Sequence, residues 1–195
     1  MQLNILLTGV GGQGILTSAA ILAKAAINSG ENVTTAETHG MAQRGGSVEV
    51  HVRIGDVLSP LIPLGSADFV ISLELSEILR YVKYCGEQTT AVVNTGRILP
   101  LAVNRGEAMY PELEEVKNAI SWMRTVFIDA NRIAEEAGSV QAGNVVVLGA
   151  FCRFCKFFTL QTLEEAVLEV LPEKVHDINI KALKMGYKAV DDVGI

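Results

Sequence analysis

The chain alternates short apolar runs with stripes of helical period. Residues 3–8 form an apolar run that ends on Gly9, the pattern of a buried, central, parallel strand. Residues 15–29 place Ile15, Ala19, Leu22, Ala26 and Ile27 on one helical face, and Gly30 is the stop. Residues 31–35 lead into a second strand, so the opening reads as one βαβ unit. Ser47–Ile54 alternates, with Val48, Val50, Val52 and Ile54 on one side and Glu49, His51 and Arg53 on the other, predicting a half-buried strand. Strands at 69–73, 91–94 and 126–128 interleave with helices over 75–82, after Pro111 and over 131–137. Residues 144–158 are apolar nearly all round, predicting a helix buried on most sides. Thr162 with Glu165 reads as the capping box of a helix that Pro172 stops, and residues 175–190 carry a last helical stripe. Alternating strands and helices, with no repeat or linker, predict one α/β domain over 1–195. Its expected form is a Rossmann-like three-layer sandwich with a mostly parallel sheet.

Composition narrows the classes. Of 195 residues, 49% are hydrophobic and 19% charged, with 16 Lys and Arg against 22 Asp and Glu. Disorder needs lower hydrophobicity, and a nucleic-acid surface needs a basic balance, so no nucleic-acid partner is expected. The low charge and positive mean hydropathy imply that part of the surface is covered by a partner. The first residues show no basic segment followed by an apolar one, and the longest apolar run, 145–152, falls far short of the roughly 20 residues of a membrane span. No signal peptide and no membrane segment are expected, and the expected compartment is the cytoplasm. Cys85, Cys152 and Cys155 are the three cysteines. They suit neither a disulfide framework nor a closed metal site, so Cys152 and Cys155 read as small buried side chains inside a helix.

Two glycine-rich segments carry the candidate chemistry. Gly9-Val-Gly-Gly-Gln-Gly14 stands between a strand and a helix and fits G-x-G-x-x-G at Gly9, Gly11 and Gly14. In this pattern Gly9 permits a tight turn, Gly11 lets backbone approach a phosphate and Gly14 lets the helix pack closely. The helix N-terminus adds unpaired N–H groups and partial positive charge. The alternative is a close turn that meets only protein. Glu37 stands near the place of a ribose-binding carboxylate, but no catalytic set of a nicotinamide enzyme follows. The second segment holds His39, Gly40, Met41, Gln43, Arg44, Gly45 and Gly46. It leaves the C-terminal end of the second strand, so it is expected beside the first loop. Arg44 has the planar fork that suits a phosphate or carboxylate; the alternative is pairing with Glu37 or Glu74. His39 reads as a capping histidine, and Glu74 as a solvated carboxylate at a helix start.

These two segments, with Val48-Glu-Val-His-Val-Arg-Ile54, resemble the gamma-type domain of 2-oxoacid:ferredoxin oxidoreductases. The His39-Gly-Met-Ala-Gln-Arg-Gly-Gly46 form is most similar to the indolepyruvate branch of that family. Ser72-Leu-Glu-Leu75, Leu79-Arg-Tyr81 and Asn144-Val-Val-Val-Leu-Gly-Ala150 extend the resemblance over most of the chain. The resemblance implies a small subunit without catalytic or metal-ligating residues of its own, inactive alone. Thiamine diphosphate and iron–sulfur clusters would sit on a large alpha subunit. The complex would decarboxylate aryl pyruvates oxidatively to aryl-acetyl-CoA and pass electrons to ferredoxin. The low charge and the apolar 144–158 helix suit a covered subunit, which could self-associate when isolated. Carried onto this sequence, a coenzyme A contact would fall on Gly9, Gly11, Gly12, Gln13, Gly14, His39, Gln43, Arg44, Gly45 and Gly46. The same glycine loop could instead contact the large subunit.

Overall fold

The computed structural model describes residues 2–39 and 46–190, with His39 described by its backbone alone. Six strands form one sheet: β1 (Leu3–Val10), β2 (Val33–His39), β3 (Ser47–Ile54), β4 (Ala67–Ser72), β5 (Cys85–Asn94) and β6 (Arg124–Ile128), in the order β2-β3-β1-β4-β5-β6. The helices are α1 (Ile15–Asn28), α2 (Ile78–Tyr81), α3 (Leu101–Asn104), α4 (Leu113–Ala119), α5 (Ala130–Ala137), α6 (Gly143–Cys152), α7 (Leu160–Val170) and α8 (His176–Ala189).

The apolar run at the start is central, as its pattern predicts: all eight residues of β1 are buried. Its surroundings differ from the expectation on one side. β1 pairs parallel with β4 but antiparallel with β3, and β3 pairs antiparallel with β2. β3 is the one reversed strand, so the sheet is mostly parallel by direction. The first and second strands are nonetheless not neighbours. β3 lies in the gap that a simple βαβ unit would close.

Two cores of unequal size flank the sheet. On one face, Ile5, Leu7, Val50, Val52, Ile71 and Val126 pack under α1, α5, α6, α7 and α8. On the other, Leu6, Val70, Ala91 and Val93 pack with Ile62, Ile78, Val116 and Ile120. This is the three-layer arrangement predicted.

Four local expectations change. β3 is buried on both faces, because the 57–64 loop and the α2 region cover its polar side; His51 and Arg53 are interior. Arg53 donates through Nε to Asn4 Oδ1 at 2.9 Å and through Nη1 to the carbonyls of Ser59 at 2.7 Å and Leu61 at 3.1 Å. The apolar helix ends at Cys152, so Cys155 lies in the turn beyond it, although both are buried as expected. Its nearly uniform burial comes from this chain itself, chiefly from α8, so it is not evidence for a partner-covered surface. The cap of α7 is Thr159, whose Oγ1 accepts from Thr162 N at 3.1 Å, three residues before the expected cap.

Candidate functional site

The C-terminal edge of β1, β4, β5 and β6 opens into a cleft of about 480 Å³. Open α/β sheets place ligands at this edge. Gly12, Gln13 and Gly14 form one wall, Leu73, Asn94 and Ile98 a second, and Asn131, Asn144 and Asn179 contribute carboxamides.

The glycine loop is built by backbone geometry. Gly12 has φ +103° and Gly14 φ +80°, a region costly for side-chain-bearing residues. A Cβ at Gly12 would meet nothing within 4 Å, so its Cα side is open, whereas one at Gly14 would lie 2.8 Å from Asn144 Nδ2. Gly14 thus packs against the start of α6. Asn144 Nδ2 donates to Gly14 O at 3.2 Å and to Ser18 Oγ at 3.2 Å, fastening α6 to the loop. Gly9 is a strand residue rather than a turn. A Cβ there would stand 2.8 Å from Gln13 Oε1 and 3.2 Å from Leu73 Cβ, so close packing excludes a side chain.

Gln13 spends both ends of its amide inside the chain. Its Oε1 accepts from Val10 N at 2.8 Å, and its Nε2 donates to Leu73 O at 2.8 Å, tying the loop to the end of β4. The ligand-facing groups of this wall are therefore backbone. The first-turn N–H groups of α1 at Ile15, Leu16 and Thr17 have no intrahelical acceptor and point toward the N-terminal end.

The two glycine segments do meet. Gly11 N donates to Gly46 O at 2.9 Å, and Val10 stands opposite Ser47 in the β1–β3 register. Gly40, Met41, Gln43, Arg44 and Gly45 lie outside the described residues, as does the side chain of His39. Glu37 is on β2, one strand beyond β3 from the glycine loop. A strand spacing of about 4.8 Å therefore separates it from the place where a dinucleotide ribose would need it.

Glu74 is not the solvated carboxylate expected. It is fully buried and accepts five bonds. Oε2 takes Ser76 N at 2.8 Å, Ser76 Oγ at 2.8 Å and Glu77 N at 3.1 Å; Oε1 takes Ile98 N at 3.0 Å and the Tyr110 hydroxyl. These donors offset the cost of burying the charge. The Tyr110 phenol is pushed well above its ordinary range, first by burial and then by this carboxylate, so it remains a donor. Glu74 thereby pins the 96–112 segment, and with it Ile98, to the cleft rim.

Sequence reasoning missed the asparagines. Asn94 holds the edge together: Oδ1 accepts from Ala130 N at 3.0 Å and Gly96 N at 3.2 Å, while Nδ2 donates to Leu73 O at 3.0 Å. The available signals were an asparagine closing an apolar strand at 94 and another opening an apolar helix at 144. Among the described residues no group of three or more His, Cys, Asp or Glu side chains is placed to hold a metal ion. Burial raises the thiols of Cys85, to about 11, and Cys152, to about 12, the latter helped by Cys155.

A reversed β3 beside a glycine-turned β1–α1 junction defines an α/β domain with its ligand edge at two glycine segments. The chain belongs to the pyruvate ferredoxin/flavodoxin oxidoreductase family, whose profile matches residues 4–189. It is 53% identical over 190 residues to the indolepyruvate oxidoreductase subunit IorB of Archaeoglobus fulgidus, covering 96% of this chain and 94% of that one. It is 40% identical to the subunit of the same name from Pyrococcus horikoshii, covering 98% of each. The pyruvate synthase subunit PorC of Methanocaldococcus jannaschii is 28% identical, covering 95% of this chain and 96% of that one. The chain thus matches these subunits over nearly their full length and is a gamma-type member of the family. Among solved structures, a 2-oxoglutarate:ferredoxin oxidoreductase from Magnetococcus marinus, with 2-oxoglutarate, coenzyme A and succinyl-CoA bound, shares the fold. Its TM-score is 0.77 at 21% identity, over 100% of this chain and 32% of that one. No helix among the described residues is long and apolar enough to cross a membrane.

Proposed function

We propose that this chain is the small subunit of a cytoplasmic indolepyruvate:ferredoxin oxidoreductase, a single gamma-type domain over residues 1–195. The observation that carries the substrate class is a gap in similarity. Four subunits named for indolepyruvate are 35% to 53% identical, whereas the 2-oxoglutarate and pyruvate subunits reach 23% to 29%. In this reading a large partner subunit holds thiamine diphosphate and the iron–sulfur clusters, decarboxylates the aryl pyruvate and passes electrons to ferredoxin. The three cysteines of this chain fit no four-cysteine cluster.

The cleft is the proposed contact for coenzyme A. Three features support this: its place at the sheet's ligand edge, the open Cα side of Gly12, and the N–H groups at the start of α1. Its described lining carries no charged side chain. Phosphate charge would therefore be met by these N–H groups and, in this reading, by Gln43, Arg44 and Gly45 with His39 and Gly46, the residues that the sequence singles out. The displacement of Glu37 by β3 weighs against a nicotinamide dinucleotide in the same place.

Calorimetric titration of the assembled complex separates these ligands. Binding of coenzyme A without binding of NADH is the expected result. Binding of NADH in preference to coenzyme A overturns the reading. Sedimentation of the isolated chain tests its self-association.

A further inference from the structure

We infer that Tyr81, Ser47 and Glu77 form a directed hydrogen-bond clamp that positions Gly46 against the glycine loop, and so tunes the cleft for its ligand. This rests on the proposed coenzyme A reading of the cleft.

Ser47 is the first residue of β3 and follows Gly46, whose carbonyl receives the Gly11 N–H at 2.9 Å. Its Oγ donates to Glu77 Oε2 and lies 2.7 Å from the Tyr81 hydroxyl. A serine hydroxyl has one hydrogen. With that hydrogen given to the Glu77 carboxylate, the Tyr81 hydroxyl must donate to Ser47 Oγ. The polarity runs one way, from Tyr81 to Ser47 to Glu77. Burial raises the Tyr81 phenol above its ordinary range and keeps it a donor.

Glu77, which ends this relay, is held by Ser47 and Arg80 at its carboxylate and by Glu74 at its backbone N–H. Glu77 is 4% exposed. Its Oε1 accepts from Arg80 Nε at 2.9 Å, and its own N–H donates to Glu74 Oε2 at 3.1 Å. Glu74 in turn holds Ile98 N at 3.0 Å. Gly46, which holds the glycine loop through Gly11, and Ile98, which lines the cleft, therefore both hang from the turn that follows β4. None of Tyr81, Ser47 or Glu77 lines the cleft. They are positioning residues, acting through Gly46 and Gly11.

The test uses the oxidoreductase assembled from this chain and its large subunit, with steady-state CoA dependence and assembly measured on each variant. Tyr81→Phe and Ser47→Ala should each raise the KM for CoA about three- to tenfold, the size of one lost hydrogen bond. The kcat should stay within about twofold, because the lost contact is one of binding. The double variant should be no worse than either single variant, and Ser47→Thr should restore the KM. Gly12→Ala serves as the reference for the cleft. A KM raised by Gly12→Ala but unmoved by Tyr81→Phe and Ser47→Ala overturns the clamp and leaves the coenzyme A reading standing. A KM unmoved by all three overturns both. Loss of assembly with a lowered apparent kcat and an unchanged KM shows a clamp that only holds the fold, and overturns the positioning role.

Discussion

Gly149 on α6 lies against the backbone of α8, so that a Cβ added there would stand 2.1 Å from Leu183 O. The contact is reciprocal: a Cβ at Gly186 would stand 2.0 Å from Val146 O. Two helices can touch backbone to backbone only where both lack a side chain. Gly149→Ala or Gly186→Ala must push α6 and α8 apart and open the larger core. Each should cost about 1–3 kcal/mol or more, as overpacking does. The midpoint of urea unfolding checks this, with Gly143→Ala, whose nearest contact is 3.6 Å away, as the milder comparison.

His51 makes stability depend on pH. Its ring is fully buried, and Nδ1 accepts from Ile62 N at 3.2 Å, so the native ring is neutral with its proton on Nε2. Burial is the main cause that lowers its pKa; Arg53 and Lys83 add to it, and Glu49 opposes. The unfolded chain takes up this proton as pH falls through about 6.5, and the folded chain only further down. Across that interval the unfolded state binds more protons, so stability falls with falling pH, by at most about 1.4 kcal/mol per unit for this one group. Below the folded pKa the loss is complete. Urea titrations between pH 5 and 8 should show this slope, and His51→Gln should flatten it. Rising stability on acidification from pH 7 would contradict the assignment.

The thiols should be silent. Cys85, Cys152 and Cys155 are buried, and burial raises each thiol above its ordinary value. The thiolate is the reactive form. Iodoacetamide at pH 8 should label the native protein slowly and the urea-unfolded protein completely, as mass spectrometry would show. Rapid native labelling of Cys152 would contradict its burial at the end of α6.

Arg44 carries a planar fork in a glycine-rich stretch of the sequence. If it holds a phosphate of coenzyme A, Arg44→Ala removes charge-assisted bonds of about 1.5–3 kcal/mol each, a roughly ten- to hundredfold loss of affinity. Arg44→Lys should recover only part of it. An Arg44→Ala complex with normal assembly and unchanged CoA kinetics would show a solvated side chain instead.

The legible parts of the sequence were those set by local physics. The apolar run of β1, the glycine turn and the stripe of α1 were visible because strand burial, positive φ and helical period each act over a few residues. What escaped depended on partners distant in sequence. Glu74 reads as a helix-start carboxylate until Tyr110, 36 positions away, is brought onto it. The alternation of β3 predicts one wet face, and the 57–64 loop, folded across His51 and Arg53, makes it dry together with the α2 region. The reversed strand itself has no local signal, since Ser47–Ile54 would alternate in either direction. Of the site, the glycine loop was found by its motif. Asn94 and Asn144 were not, because an asparagine signals nothing until its amide meets the backbone of another element.

The central claim is that this chain completes an oxidoreductase for aryl pyruvates without doing the redox chemistry alone. The most direct measurement is CoA-dependent ferredoxin reduction by the complex co-purified with its large subunit, compared across indolepyruvate, pyruvate and 2-oxoglutarate, beside the isolated chain. The account predicts the highest kcat/KM with indolepyruvate and no turnover by the chain alone. Turnover by the isolated chain, or a complex that prefers pyruvate or 2-oxoglutarate, would contradict it.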